Sequence, residues 1–324
     1  MVVMSGEREA VSVEQPAKTG SISPSLHSGL LCPADKVVIA YILLISLLIV
    51  IFNHRIGLWW QLLAGHALAI LAVALIAHRW RHEKSSLVRG WYPVALIPLT
   101  YKELTYLIPL VNPRQYDAEL ASLDYQMLGA HATLWLERFT FPLLTEILQI
   151  CYACYYFLPI ILGAVLWRKG WFDRFYFFVF IIVLAFYLSY IGYITVPVIG
   201  PRFYPPIQEA QSFPLSGVWL YQSIREMLDE AEGRTFDCFP SGHTALTLLV
   251  LYYARRFHRR TFWWMLPVGS ALVFSTVYLR YHYVIDVLAG VLLALAVVII
   301  APRLYRALAG QVPGVRGRGP GPDI

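Results

Sequence analysis

The stretch VIDVLAGVLLALAVVII, residues 284–300, decides the fold. Past Asp286 it is wholly apolar, and with its flanks it can cross a bilayer, which takes roughly 20 residues of helix and tolerates about 17. Working outward from it, further apolar runs of the same kind appear along the chain. The expected spans are 37–52, 58–77, 91–111, 142–167, 174–199, 241–256, 262–280 and 282–302, about eight in all. Composition agrees, since 58% of the 324 residues are hydrophobic and 14% charged, against about 45–50% and 25% in soluble domains. The expected fold is an all-α, polytopic integral membrane helix bundle.

The net charge of +6 invites a nucleic-acid partner, but its distribution argues against one. With the N-terminus placed inside, eighteen of the 26 Lys and Arg residues fall on inside segments and seven on outside ones. Basic residues concentrate on cytoplasmic loops, so both termini are expected in the cytoplasm and the charge reads as topology. One span is unusual. Segment 91–111 holds Lys102 and Glu103 near its middle and three prolines; an ionisable pair in lipid should face the bundle interior or neutralise itself.

The ends, 1–35 and 304–324, are expected to be disordered cytoplasmic tails. No compact signal-peptide layout precedes the first span, so it is expected to be retained. Cys151 and Cys154 form a CxxC inside an apolar helix, where small packing residues are the expected reading. Two outside loops, 112–141 and 215–232, show apolar residues at helical spacing beside charged ones. They read as surface helices or lids, with no chemistry assigned to Asp117, Asp124 or Glu226.

Three polar clusters break the apolar pattern. In FPSGHTAL (239–246), Pro240 suits a turn, Ser241 is an N-cap, and Gly242 lets backbone approach a ligand. A helix start with unpaired N–H groups favours an anion such as phosphate, and His243 beside it can move a proton. In STVYLRYHYVID (275–286), His282 and Asp286 are four apart and share a helical face. The carboxylate would fix one imidazole nitrogen and leave the other as a nucleophile. A His–Asp metal pair is the rival, but no further ligand stands at metal-site spacing. The third cluster centres on Arg202, a fork suited to phosphate oxygens. By the assumed topology all three lie on the outer side, and together they describe phosphoryl transfer.

PSGH at 240–243 followed by HYVID at 282–286 resembles the type 2 phosphatidic acid phosphatase superfamily. The general motifs there are K-x6-R-P, P-S-G-H and S-R-x5-H-x3-D. The second is complete. The third is matched by Ser275, His282 and Asp286, with Thr276 at the Arg position. The first is matched by Arg202, with Thr195 at the Lys position and Phe203 at the Pro position. These departures, with VYLRYHYVID, PLTYKEL and the long lid before FPSGH, resemble the branch containing inositol phosphorylceramide synthase, whose members transfer a phospho-head-group between lipids.

The resemblance covers about 91–303 and implies a six-helix catalytic membrane domain there, preceded by two extra spans in 36–90. It implies a metal-independent lipid phosphatase or phosphotransferase with no cofactor. His282 would attack phosphorus and Asp286 would orient it, while His243 would protonate the leaving oxygen. Arg202, Ser241, Gly242 and Arg280 would hold the phosphoryl oxygens. Arg280 is included because it follows Thr276 by four residues, one helical turn on, and could replace the missing motif arginine. Partners would be the membrane and a phospholipid or an isoprenoid or sphingoid lipid. Hydrolase and transferase are not separable from these residues. A non-catalytic lipid-phosphate binder or transporter and a vanadate-dependent oxidase remain as rivals. The site would face the extracytoplasmic side of its membrane, the cell membrane if the source is bacterial.

Overall fold

The computed structural model describes residues 30–232 and 236–310. Of the tails expected at 1–35 and 304–324, residues 1–29 and 311–324 lie outside the described residues. Helices follow in the order α1 (Pro33–Ile51), α2 (Trp59–Arg79), α3 (Leu87–Val111), α4 (Asp117–Leu128), α5 (Ala132–Trp135), α6 (Pro142–Ala153), α7 (Phe157–Arg168), α8 (Phe172–Thr195), α9 (Pro205–Glu209), α10 (Tyr221–Glu232), α11 (Gly242–Phe257), α12 (Arg259–Tyr278) and α13 (Val284–Ala309). No strand occurs among the described residues. The chain is an all-α membrane helix bundle.

Six segments are long and apolar enough to cross a membrane: α1, α2, α3, the continuous α6–α7 pair, α8 and α13. The expectation was about eight. Helices do form at the other two positions, but α11 has 16 residues and buries Thr244 and Thr247, and α12 starts on Arg259-Arg260-Thr261. Packing explains the first, while α12 keeps Trp263, Trp264 and Phe274 exposed. Helix α11 lies against α7, α8, α12 and α13 and is buried almost all round, so neighbouring helices rather than lipid set its composition. The helical ends also move outward from the expected domain edges, to Pro33 at one end and Ala309 at the other.

Helix α8 is the hub, packing on α1, α3, α7, α11 and α13, with Phe175, Phe178, Phe180 and Ile181 sealed from solvent. The outer helices each show one apolar face, such as Leu68, Leu71 and Leu75 on α2 or Leu292, Leu295 and Ile299 on α13. That is the lipid-facing pattern of a bundle whose buried faces pack on one another.

Helix α3 is continuous through Pro93, Pro98 and Pro109. Hydroxyls of Thr100 and Tyr190 donate to the Ile97 carbonyl, and the second of these bonds joins α3 to α8. Glu103 does not rely on its neighbour: it lies 2.8 Å from His66 Nε2, whose Nδ1 is 2.6 Å from Ser46. The three residues sit on α3, α2 and α1 and pin the first two spans to the rest. At the other end of those helices Asp35 takes both guanidinium nitrogens of Arg89, at 2.7 and 2.5 Å, and the Tyr92 hydroxyl. Each ionisable group on this contact is therefore partnered, as burial demands.

Candidate active site

The loop after α8, the start of α11 and the turn between α12 and α13 meet at one end of the bundle, under a cover made of α4, α5 and α10. A cavity there is lined by Tyr152, Arg202, Asp229, Asp237, Cys238, His243, Tyr281 and His282, among others. Its volume is about 30 Å³, room for roughly two waters.

His282 and Asp286 are both buried, with Nδ1 and Oδ2 3.4 Å apart. Asp286 begins α13 by accepting the Tyr283 N–H at 2.9 Å, while its own carbonyl accepts the Ser241 N–H at 3.0 Å. The turn carrying the histidine and the mouth of α11 are thus tied directly together. The His282 ring also hydrogen-bonds the Cys238 backbone, and burial pushes its imidazole down to about 4. At neutral pH it is unprotonated, the form with a lone pair to offer.

His243 faces it, with ring centroids 5.6 Å apart. Tyr155 and Tyr152 enclose His243 at 4.1 and 4.5 Å, and Tyr152 in turn stacks on Tyr281 at 4.2 Å. The column fixes the imidazole plane. His243 Nε2 is buried without a hydrogen-bond partner, available to something entering the cavity.

Arg202 lies 5.2 Å over the Tyr281 ring and 4.8 Å over Phe203. Its guanidinium is buried and paired with Asp229 of α10.

Ser241, Gly242 and Arg280 sit otherwise than expected. Ser241 is a fully buried N-cap whose hydroxyl accepts the Thr244 N–H at 3.2 Å. The Gly242 backbone hydrogen-bonds the Tyr193 hydroxyl, and a Cβ there would collide with that hydroxyl. The close approach that needs glycine is therefore to α8, and the Ser241 and Gly242 N–H groups already have partners in the Asp286 carbonyl and the Tyr193 hydroxyl. Arg280 does not continue a helical face from Thr276, because α12 ends at Tyr278 and Arg280 turns into the left-handed region with φ 69°. Its guanidinium points to Glu137 at 2.8 Å, Gln211 at 2.6 Å and the Phe213 carbonyl at 3.1 Å. It ties the cover to the α12–α13 turn, away from the cavity lining.

Several supporting residues carried no function in the sequence reading. Asp117 accepts N–H bonds from Ile199 and Gly200 at 3.0 and 2.9 Å and the Tyr283 hydroxyl at 3.1 Å. Asp124, two helical turns on, accepts the Val284 and Ile285 N–H groups, both at 2.8 Å. One face of α4 therefore holds the loop before Arg202 and caps α13 beside His282. Glu146 does the same for the cover, accepting backbone N–H bonds from residues 218 to 221 at 2.7–3.2 Å. The Tyr101 hydroxyl donates to Asp237 at 2.6 Å. The seven-residue spacing of Asp117 and Asp124 was the available signal.

Asp124→Ala is expected to leave two buried donors unmet, costing about 1–3 kcal/mol, and to misplace His282 enough for a roughly 10²-fold loss of kcat. Thermal unfolding and turnover measured together check it; unchanged turnover in a stable variant would refute the positioning role.

One arrangement was not visible in the sequence. Cys238, His282 and Asp286 bring a ligand atom each within 4.8 Å of one another. That supplies the third metal-type donor that residue spacing had not revealed.

Comparison with known proteins gives a consistent picture. The family model described as PAP2 superfamily matches residues 118–300, more than half of the chain. A PA-phosphatase related-family protein of Dictyostelium discoideum is 26% identical over 173 residues, covering 48% of this chain and 31% of that relative's length. The chain therefore spans about a third of the relative it matches. No solved structure matches the chain.

Proposed function

The chain belongs to the PAP2 superfamily, and from that premise we propose that it is a membrane lipid phosphatase or phosphotransferase working through a phosphohistidine. The observation that carries this reading is the pairing of two buried histidines across one small cavity, one backed by Asp286 and the other held between tyrosines. A lipid phosphate enters on Arg202. The His282–Asp286 contact tightens from 3.4 Å, as apo catalytic contacts commonly do. The ring proton then resides on Nδ1, and Nε2 leaves the Cys238 backbone for phosphorus.

As the N–P bond forms, the bond from phosphorus to the leaving oxygen breaks, and that oxygen takes a proton from His243. In the second half, water or a lipid hydroxyl attacks phosphorus and gives its proton to His243. The N–P bond breaks and His282 is restored. Arg202 supplies the fixed charge for the equatorial oxygens. In this reading Ser241 and Gly242 set the backbone of the α11 mouth, and Arg280 steadies the cover.

Head-group transfer of the inositol phosphorylceramide synthase type is the finer form of the proposal, supported by the covered cavity, which would shelter the phosphohistidine from water. The site faces the extracytoplasmic side and both termini the cytoplasm, a placement supported by the Lys and Arg asymmetry. The substrate is a phospholipid or an isoprenoid or sphingoid lipid phosphate.

A second reading rests on the Cys238–His282–Asp286 cluster. A zinc ion there would activate water and would consume the imidazole lone pair that a phosphohistidine needs. One experiment separates these readings. Purified protein receives phosphatidic acid, a prenyl diphosphate, or phosphatidylinositol with ceramide, with and without EDTA, and free phosphate and new phospholipid are both measured. Phosphate release that survives EDTA supports the phosphatase, and new phospholipid under the same conditions supports the transferase. Activity lost in EDTA and restored by zinc supports the metal reading. Substrate binding without product would leave a lipid-phosphate-binding protein.

A further inference from the structure

We propose that Asp229 is an internal anion that competes with the substrate phosphate for Arg202, and so sets how tightly a phosphate must bind to be accepted. The inference rests on the reading of Arg202 as the phosphate ligand. Three observations carry it. Arg202 is 8% exposed, and its ion pair is with a carboxylate from the covering helix α10, not from the bundle that holds the arginine. Asp229 is 39% exposed, so its carboxylate has a short path to water. Asp229 itself lines the small cavity in front of Arg202, so its carboxylate holds the guanidinium from the side on which a phosphate would arrive.

The surrounding groups allow the exchange. Asp237, His243, His282, Tyr152 and Tyr281 also line the cavity, and Asp237 is fixed by Tyr101 from α3. Asp229 is thus the carboxylate there that comes from the cover. Helix α10 is held at its start where Glu146 gathers the N–H groups of residues 218 to 221 and near its end by the buried Leu228, so the exchange asks only the half-exposed Asp229 side chain to turn from Arg202 toward water. Arg202 is neutralised before and after the swap, so no step leaves an unpaired buried charge, the costly alternative.

The effect follows from competition. A carboxylate carries one negative charge and a phosphomonoester at neutral pH close to two, so a monoester displaces Asp229 more readily than a phosphodiester, which also carries one. Opening the Arg202–Asp229 pair costs each of them the same, so Asp229 weakens every phosphate by one factor and sets the affinity that a ligand must exceed to enter.

The test uses the full chain in detergent. Orthovanadate inhibition is measured on wild type, Asp229→Asn, Asp229→Ala, Arg202→Ala and the neighbouring control Glu230→Gln, with a short-chain phosphomonoester and a short-chain phosphodiester as substrates. The expected result is a vanadate Ki at least about tenfold lower in both Asp229 variants, equivalent to about 1.4 kcal/mol. The kcat/KM values for the monoester and the diester should rise by similar factors, and Glu230→Gln should behave as wild type. A Ki unchanged in both Asp229 variants, while Arg202→Ala raises it, overturns the internal-anion proposal and leaves Arg202 as the phosphate ligand. A Ki lowered equally by Glu230→Gln also overturns it, since general surface charge would then explain the effect. A Ki unaffected by Arg202→Ala removes the underlying reading and this inference together.

Discussion

His282→Ala is expected to lower kcat by at least about 10⁴-fold, since loss of a nucleophile leaves only binding and charge stabilisation to act. The side chain is 3% exposed and packed in a turn that α4 holds by separate backbone contacts. The variant should therefore fold, and substrate should still reach Arg202 with KM little changed. The decisive readout is chemical. Wild-type protein quenched in alkali after brief exposure to a labelled lipid phosphate should carry a phosphate that acid removes, and His282→Ala should carry none. Asp286→Asn should form the adduct more slowly, because its amide cannot stabilise the positive charge that grows on the imidazole during attack. An adduct of undiminished yield in His282→Ala would place the nucleophile elsewhere.

How much of this could be read from the residues depends on whether a local pattern or a tertiary contact sets each position. Spans such as 284–300 were legible because an apolar face against lipid leaves a long unbroken run. Helix α11 was legible as a helix, but not as an interior one, since Thr244 and Thr247 acquire their burial from neighbouring helices. His282 and Asp286 were legible from a four-residue spacing on one turn of helix, although His282 itself stands just before α13. Arg280 misled for the same reason: the helical count from Thr276 assumes a helix that has already ended, and a non-glycine residue with positive φ is uncommon.

The acidic residues of α4 looked like the solvated face of a surface helix, as such residues usually are. Only docking turns Asp117 and Asp124 inward onto the N–H groups of two loops more than 80 residues further on. Cys238 entered no spacing argument because its distance from His282 along the chain carries no periodicity. Gly242 was read as letting backbone approach a ligand, and its close neighbour is a tyrosine hydroxyl from α8, which sequence does not bring near.

His243 offers the second large effect, and here packing must be separated from proton transfer. Alanine would empty the gap between Tyr152 and Tyr155 and confuse the two. His243→Phe keeps an aromatic ring in the column and removes only the exchangeable proton. A positioned acid of this kind contributes about 10²–10⁴-fold, but only when the leaving oxygen needs the proton. Read as the rate of leaving-group release in a single turnover, the expected result is a loss of that size for a lipid phosphate, whose alkoxide leaves poorly, and a far smaller one for p-nitrophenyl phosphate, whose phenolate leaves unaided. The ratio of the two losses measures the acid. Equal losses on both substrates would mean that the ring matters for the shape of the cavity, and the leaving-group proton would have to come from another donor. The partner test follows from the second half of the cycle, in which His243 accepts the proton of the incoming hydroxyl. In His243→Phe treated with p-nitrophenyl phosphate, the adduct should still form on His282 and should then persist, because nothing deprotonates the water that would release it.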